Sequence, residues 1–338
     1  MSDNAKRIDT IDVFRIIAAI FVVGIHSKIS DTMPTMARNF MDMVFSLAVP
    51  FFFITSGYFI NTDKTYGGGQ NDSEKRRLCK HLKNAVQLYL IWNLIYLPLS
   101  IGGEIIYKNS FAKACFKLVR GWLLVGQNYY SWAFWYLLAL IVAEIIILML
   151  RKVGISLKGQ MVSSVFLFIV GLLLNYLHND TGIKNIIIDT YYGLFMTTRN
   201  GIFVGFFYVS IGMLVRKIDF LSMKYSSVTF VVAILLSLFY PSDGTLGTIL
   251  TAVASINLFL IIITVKVPNI KRAKHFRDLA TTVYLVHMIF VFIGNEVLKI
   301  NNQVVSFVMV TICSVVLAEI ILKTEWSNKR LSEILHIN

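Results

Sequence analysis

Long apolar runs broken by short polar segments dominate the chain. A membrane-crossing helix needs about 20 mostly apolar residues. Ten stretches come near that requirement: 11–29, 41–61, 85–107, 131–150, 160–178, 200–215, 226–240, 245–265, 279–298 and 303–322. The sixth and seventh are short, which fits tilting or extension into their flanks. The predicted class is all-α, a polytopic membrane protein of about ten transmembrane helices. The first run, IDVFRIIAAIFVVGIHSKI, carries Arg15 and His26 within an otherwise apolar helix. Such groups are costly at membrane depth, so they are expected to face protein or a wet cavity. Eleven residues advance a helix by about three turns, which puts Arg15 and His26 on one face about 16 Å apart along the axis. Arg15 also interrupts the apolar core that a cleaved signal peptide would need, and no small-residue cleavage site follows. The run is therefore read as a retained helix.

Lys and Arg concentrate in alternate loops, notably Lys75, Arg76, Arg77 and Lys80, and again Lys271, Arg272, Lys274 and Arg277. The positive-inside rule then places both termini in the cytoplasm. The segment 108–130 departs from the rule, because its Lys108, Lys113, Lys117 and Arg120 fall on the nominal outside. Its FAKACFKLVRGWLLVG has amphipathic helical spacing, so it either lies along the interface or re-enters beside the spans. The inner segment 62–84 joins a Gly-rich piece to a basic run. Topology with attraction to anionic lipid explains it; a phosphate-binding contact for a nucleotide-bearing donor explains it equally. Its GGG is not followed by GK[ST], so it is no P-loop.

Composition agrees with the pattern: of 338 residues 56% are hydrophobic, 13% aromatic and only 15% charged, with a mean hydropathy of +0.68. The net charge of +13 is used in loops for topology and does not point to nucleic acid. Cys79, Cys115 and Cys313 are scattered, without CxxC, and suggest neither a disulfide framework nor a zinc site. No metal is expected. No internal repeat of fixed period and no second, soluble domain is apparent, so residues 1–338 are read as one membrane domain.

The polar residues inside the spans are the candidates for chemistry: Arg15, His26, Gln87, Asn93, Glu144, Asn175, Asn257, His287, Glu296 and Glu319. Asp12 precedes Arg15 by three residues, which allows pairing on one helix face. That pair is either structural, at the inner membrane edge, or sets Arg15 along a donor pocket with Asp12 orienting it. His26 can serve as a general base near neutral pH. On pattern alone His287 is a packed polar residue. Glu144, Glu296 or Glu319 could orient His26 or carry a proton, and sequence does not choose among them. Ser56 could be a nucleophile, but with Gly57 it better suits close helix packing.

Several segments together resemble the integral-membrane acyltransferase-3 family. Arg15-x10-His26 resembles its first-helix Arg-x10-His signature, and VPFFFITSGYFI (Val49–Ile60) its VPLFFxxSG pattern. Lys75, Arg76, Arg77 and Lys80 resemble its basic inner-loop motif, with Lys80 where a second Arg is common. WAFWYLLALI (Trp132–Ile141) and VYLVHM (Val283–Met288) resemble its WFLxxL and YLxH segments. The matches run in order from about residue 8 to 323. The resemblance implies ten helices in a cell membrane, with a bacterial plasma membrane as the setting. It implies no bound cofactor, with acyl-CoA, chiefly acetyl-CoA, as the cytoplasmic donor substrate. The acceptor would be a hydroxyl of a cell-envelope glycan or lipid-linked molecule, usually O-acetylated. His26 then becomes the catalytic base and Arg15 a donor-site or architectural residue. Asp12, Arg76, Arg77, Lys80, Ser56, Trp135, Tyr136 and His287 become the substrate- or donor-binding set. The membrane domains of vancomycin-resistance serine racemases are also similar, through AVPFFFITSGYFI and TRNGIFVGFFYVSIGMLV. That subgroup's membrane part is associated with serine uptake, so a small-solute transporter is the competing expectation. The racemase domain of that subgroup, with its cofactor-binding lysine, is not expected here.

Overall fold

The computed structural model describes residues 9–60, 72–180, 185–216, 223–265 and 272–327. Among these no strand occurs, and the helices are α1 (Asp9–Ser27), α2 (Thr35–Ser46), α3 (Ala48–Ile60), α4 (Asp72–Ile95), α5 (Leu97–Ile106), α6 (Phe111–Arg120), α7 (Trp135–Lys152), α8 (Leu157–Asn175), α9 (Ile186–Phe195), α10 (Phe206–Val215), α11 (Met223–Ser237), α12 (Thr245–Thr264), α13 (Ala273–Phe292) and α14 (Gln303–Ser327). In a bilayer every backbone polar group must be satisfied internally, and helices do that within one segment.

Seven described helical stretches are long and apolar enough to cross a membrane, and α4–α5 adds an eighth if its two arms form one span. Those arms meet at 49°. Pro98 lies in the first turn of α5 and has no N–H to continue the ladder from α4. The expected sixth and seventh spans fold as the shorter helices Gly201–Val215 and Tyr225–Ser237. The segment between the fifth and sixth spans, expected to be loop, contains α9. Its start is capped by Asn185, whose side chain accepts from Ile187 N at 2.9 Å, and Met196 at φ 62 ends it. The Gly-rich piece of the inner segment lies outside the described residues.

Contacts divide the chain into two compact units. One takes the described residues of Met1–Gly69 and Tyr208–Ser332, the other those of Gln70–Phe207. In the first unit α1 packs along α13, α13 along α14, and α11 along α12. Its interior holds the fully buried Phe51, Phe53, Ile54 and Phe259, with Phe51 edge-on to Phe14 at 4.7 Å. A second apolar group joins Met43 and Leu47 to Ala233 and Ala254. Helices α3 and α10 approach until backbone nearly meets backbone. A Cβ at Gly57 would stand 2.0 Å from the Val209 carbonyl oxygen, and one at Gly212 would stand 2.0 Å from that of Ile54. Small residues that let helices touch are the usual membrane solution, since lipid gives no hydrophobic drive between them.

In the second unit α4 and α7 run antiparallel with a seven-residue register. Glu74 pairs with Arg151 at 3.4 Å, and His81 with Glu144 at 2.5 Å. The same register continues at Leu88 and Leu137, both buried. The seam thus grades from charged to apolar within four turns.

Candidate active site

Helix α1 carries the two groups that its sequence singled out. Arg15 Nη1 donates to Asp12 Oδ1 at 3.2 Å, one turn earlier. Its guanidinium also sits 5.6 Å over the Phe59 ring of α3, a cation–π geometry. Asp12 is 4% exposed and the Arg15 side chain is 18% exposed, so the pair faces protein. Both groups have protein neighbours and neither is turned wholly to lipid, as the cost of an ion in hydrocarbon requires.

At the other end of α1, His26 meets α13. Its ring lies 5.3 Å from that of His287. His287 is fully buried, and its Nδ1 is 2.7 Å from the Tyr284 carbonyl oxygen. A carbonyl only accepts, so Nδ1 carries the proton and Nε2 of the neutral ring keeps a lone pair. That Nε2 is buried with no hydrogen-bond partner among the described residues. A buried polar atom left unmatched costs free energy unless something else fills the need. Two adjacent imidazoles, one with a fixed tautomer and an unused lone pair, can accept and pass a proton. Sequence pattern alone had made His287 a packing residue; the missing signal is its partner helix, which only folding brings alongside.

Among the described residues no carboxylate bonds His26. Glu144 is taken by His81, and Glu319 by His275 Nε2 at 2.8 Å, while Glu296 is exposed. Ser56 spends its hydroxyl on the Phe52 carbonyl at 3.1 Å within α3, the back-bonding typical of a packed helix serine.

Arg15, Asp12, His26, Ser56 and His287 belong to the first unit, and the other proposed residues to the second. There Arg76 and Lys80 are exposed on α4 and Arg77 is half-buried, with its Nη2 on Ser73 Oγ at 3.2 Å. Trp135 and Tyr136 begin α7, whereas the His81 and Glu74 rungs meet that helix at Glu144 and Arg151. At 1.5 Å per residue Trp135 is about 24 Å along α7 from Arg151. The basic turn of α4 therefore lies toward the Arg151 end of α7, and Trp135 and Tyr136 lie at its other end. Among the described residues no group of three or more His, Cys, Asp or Glu could hold a metal ion.

Residues 8–323 match the acyltransferase domain of the acyltransferase-3 family. The chain belongs to that family. It is an acyltransferase-3 protein of multi-pass membrane type, and the family's activity is acyl transfer. Two curated relatives are an amino-acid racemase of Enterococcus faecalis, 27% identical over 336 residues covering 94% of this chain and 46% of the relative, and a serine/alanine racemase of Enterococcus gallinarum, 28% identical over 324 residues covering 90% and 44%. This acyltransferase-3 chain thus spans less than half the length of these relatives. No solved structure matches it.

The structure also exposes a pair that the sequence did not connect. Glu144 is wholly buried, with Oε1 on His81 and Oε2 without a hydrogen-bond partner among the described residues. Removing one member of a buried pair leaves the other uncompensated, at a cost of about 3–5 kcal/mol when that other is a charge. His81→Ala takes the ring away from a wholly buried carboxylate, while Glu144→Ala acts on an imidazole that is partly exposed. We therefore expect His81→Ala to lower the melting temperature of the detergent-solubilised protein more than Glu144→Ala does. Adding Glu144→Gln to His81→Ala should recover part of the loss.

Proposed function

We propose that this chain moves an acyl group, most simply acetyl, from cytoplasmic acyl-CoA to a hydroxyl of a cell-envelope glycan or lipid-linked acceptor. His26 is the base: an imidazole nitrogen takes the acceptor O–H proton as that oxygen attacks the thioester carbonyl carbon. The C–S bond then breaks, and coenzyme A leaves as a thiolate that recovers a proton. Arg15, held by Asp12, supplies fixed positive charge on the same helix, and Lys80, Arg76 and Arg77 suit the donor's phosphates. The observation that carries the reading is the His26–His287 contact, because a buried imidazole lone pair beside a second imidazole suits proton transfer and is costly for packing alone. Both termini are cytoplasmic in this reading.

A second reading, carriage of a small amino acid such as serine, is favoured by a specific feature. Helices are interrupted, at the 49° α4–α5 bend and at the π-helical turn Gly201–Gly205, and broken helices often mark transporter sites. The curated relatives' names also concern amino acids. One preparation separates the two. Proteoliposomes are given acetyl-labelled CoA inside and an envelope glycan outside, or labelled serine with no CoA. Label arriving on the glycan supports acyl transfer; serine accumulation without label on the glycan overturns it.

A further inference from the structure

Helix α6 has three distinct sides. At about 100° per residue, Ala114 and Leu118 fall on one side, and Gly121 follows them into the protein. Gly121 is buried, and a Cβ there would stand 2.1 Å from Asn128 Oδ1. The next residue, Trp122, accepts through its carbonyl from Tyr89 Oη at 2.6 Å. Arg120 Nη1 donates to the Gly193 carbonyl of α9 at 2.7 Å. The close approach at Gly121, the Trp122 carbonyl and the Arg120 guanidinium together tie the C-terminal end of α6 to the protein.

The second side is apolar and uncovered. Phe111 is 86% exposed, Phe116 58% and Val119 53%, and Leu123 continues the surface at 67%. The third side is basic. Lys113 and Lys117 lie within about 60° of Arg120 on the wheel. Neither lysine forms an ion pair among the described residues; Lys117 Nζ sits 5.9 Å over the Tyr107 ring. Glu104, the nearest acid in sequence, is bonded by Asn109 Nδ2 at 2.6 Å.

Ten residues make a helix of about 15 Å, half of a bilayer's hydrocarbon thickness. Such a helix cannot cross, yet its apolar side needs cover and its lysines need anions. A lipid leaflet meets both needs at one depth, with acyl chains against the phenylalanines and headgroup phosphates against the lysines. We propose that α6 lies in the membrane interface and that Lys113 and Lys117 form a site for the phosphate of an anionic phospholipid. This goes beyond the acyl-transfer reading and does not depend on it.

Cys115 reports on the depth of α6, because it lies on the exposed apolar side. In full-length protein with Cys79→Ser and Cys313→Ser, a nitroxide on Cys115 in phosphatidylcholine–phosphatidylglycerol liposomes should be relaxed strongly by oxygen and weakly by an aqueous nickel chelate. A water-like profile overturns the proposal, as does a label immobilised between two copies of the chain. Lipid retained by the detergent-extracted protein, counted by native mass spectrometry, tests the charge. Phosphatidylglycerol retention should fall about 5-fold for each lysine changed in Lys113→Gln and Lys117→Gln, with phosphatidylcholine unchanged. Equal retention of phosphatidylglycerol by the double variant overturns the phosphate site.

Discussion

His26→Ala is expected to reduce acyl transfer by about 10²- to 10⁴-fold, the usual contribution of a positioned general base, while the protein still inserts and purifies. The substitution removes a half-buried ring at the end of α1 and leaves the Asp12–Arg15 pair, more than two turns away, intact. Membrane insertion is set by the apolar run, which the change makes no less apolar. His287→Ala should also slow transfer, but by less, because its Nδ1 is held on Tyr284 and its part is to position or relay. A labelled-acetyl transfer assay on the two variants, with yield and melting temperature measured in parallel, checks this. Wild-type transfer by His26→Ala would remove the proposed mechanism. Loss of transfer together with loss of the folded protein would mean that the ring is structural.

Gly57→Ala and Gly212→Ala are expected to be among the most damaging single methyl additions to the fold. Each new Cβ would sit 2.0 Å from a backbone carbonyl oxygen on the facing helix. A carbon needs about 3.3 Å from such an oxygen, so α3 and α10 would have to part by more than about 1 Å. A backbone carbonyl cannot rotate aside as a side chain can, and overpacking costs about 1–3 kcal/mol even where side chains give way. The neighbours that would shift include Tyr58, whose ring lies under the Arg216 guanidinium at 4.7 Å. Gly102→Ala is the control, since nothing stands within 4 Å of its added carbon. Yield and melting temperature in detergent should fall sharply for Gly57 and Gly212 and barely for Gly102. An equal response of all three would show that the α3–α10 approach is not tight in the protein.

The readable parts of the molecule are those governed by local pattern. Arg15 and His26 stood out because a charged or titratable side chain inside an apolar run is costly wherever the run ends up. Asp12 followed from helix spacing alone, and its bond to Arg15 lies where that spacing put it. Helix α9 escaped notice because Ile186–Phe195 is too short for a span and its start depends on one asparagine cap. The α4–α5 bend was hidden for a different reason. Hydropathy averages over Pro98, although the missing N–H alone redirects the chain.

Pairings across helices were not readable. Glu144 was an acid with several possible partners, and it is His81, sixty-three residues earlier in the chain, that the seven-residue register of α4 and α7 brings to it. His287 looked like a core residue on pattern alone, the family resemblance made it a binding residue, and only the packing of α13 along α1 set its ring beside His26. That the basic α4 turn and the aromatic start of α7 lie toward opposite ends of the antiparallel pair was likewise set only by the register of the two helices. By itself the amino-acid sequence determined that this is a multi-helix membrane protein with an arginine and a histidine on its first helix, because hydropathy and helical period are properties of neighbouring residues. Which imidazole meets which, and which glycines must stay bare, was decided only by tertiary packing, because those distances depend on helices that are remote in the chain.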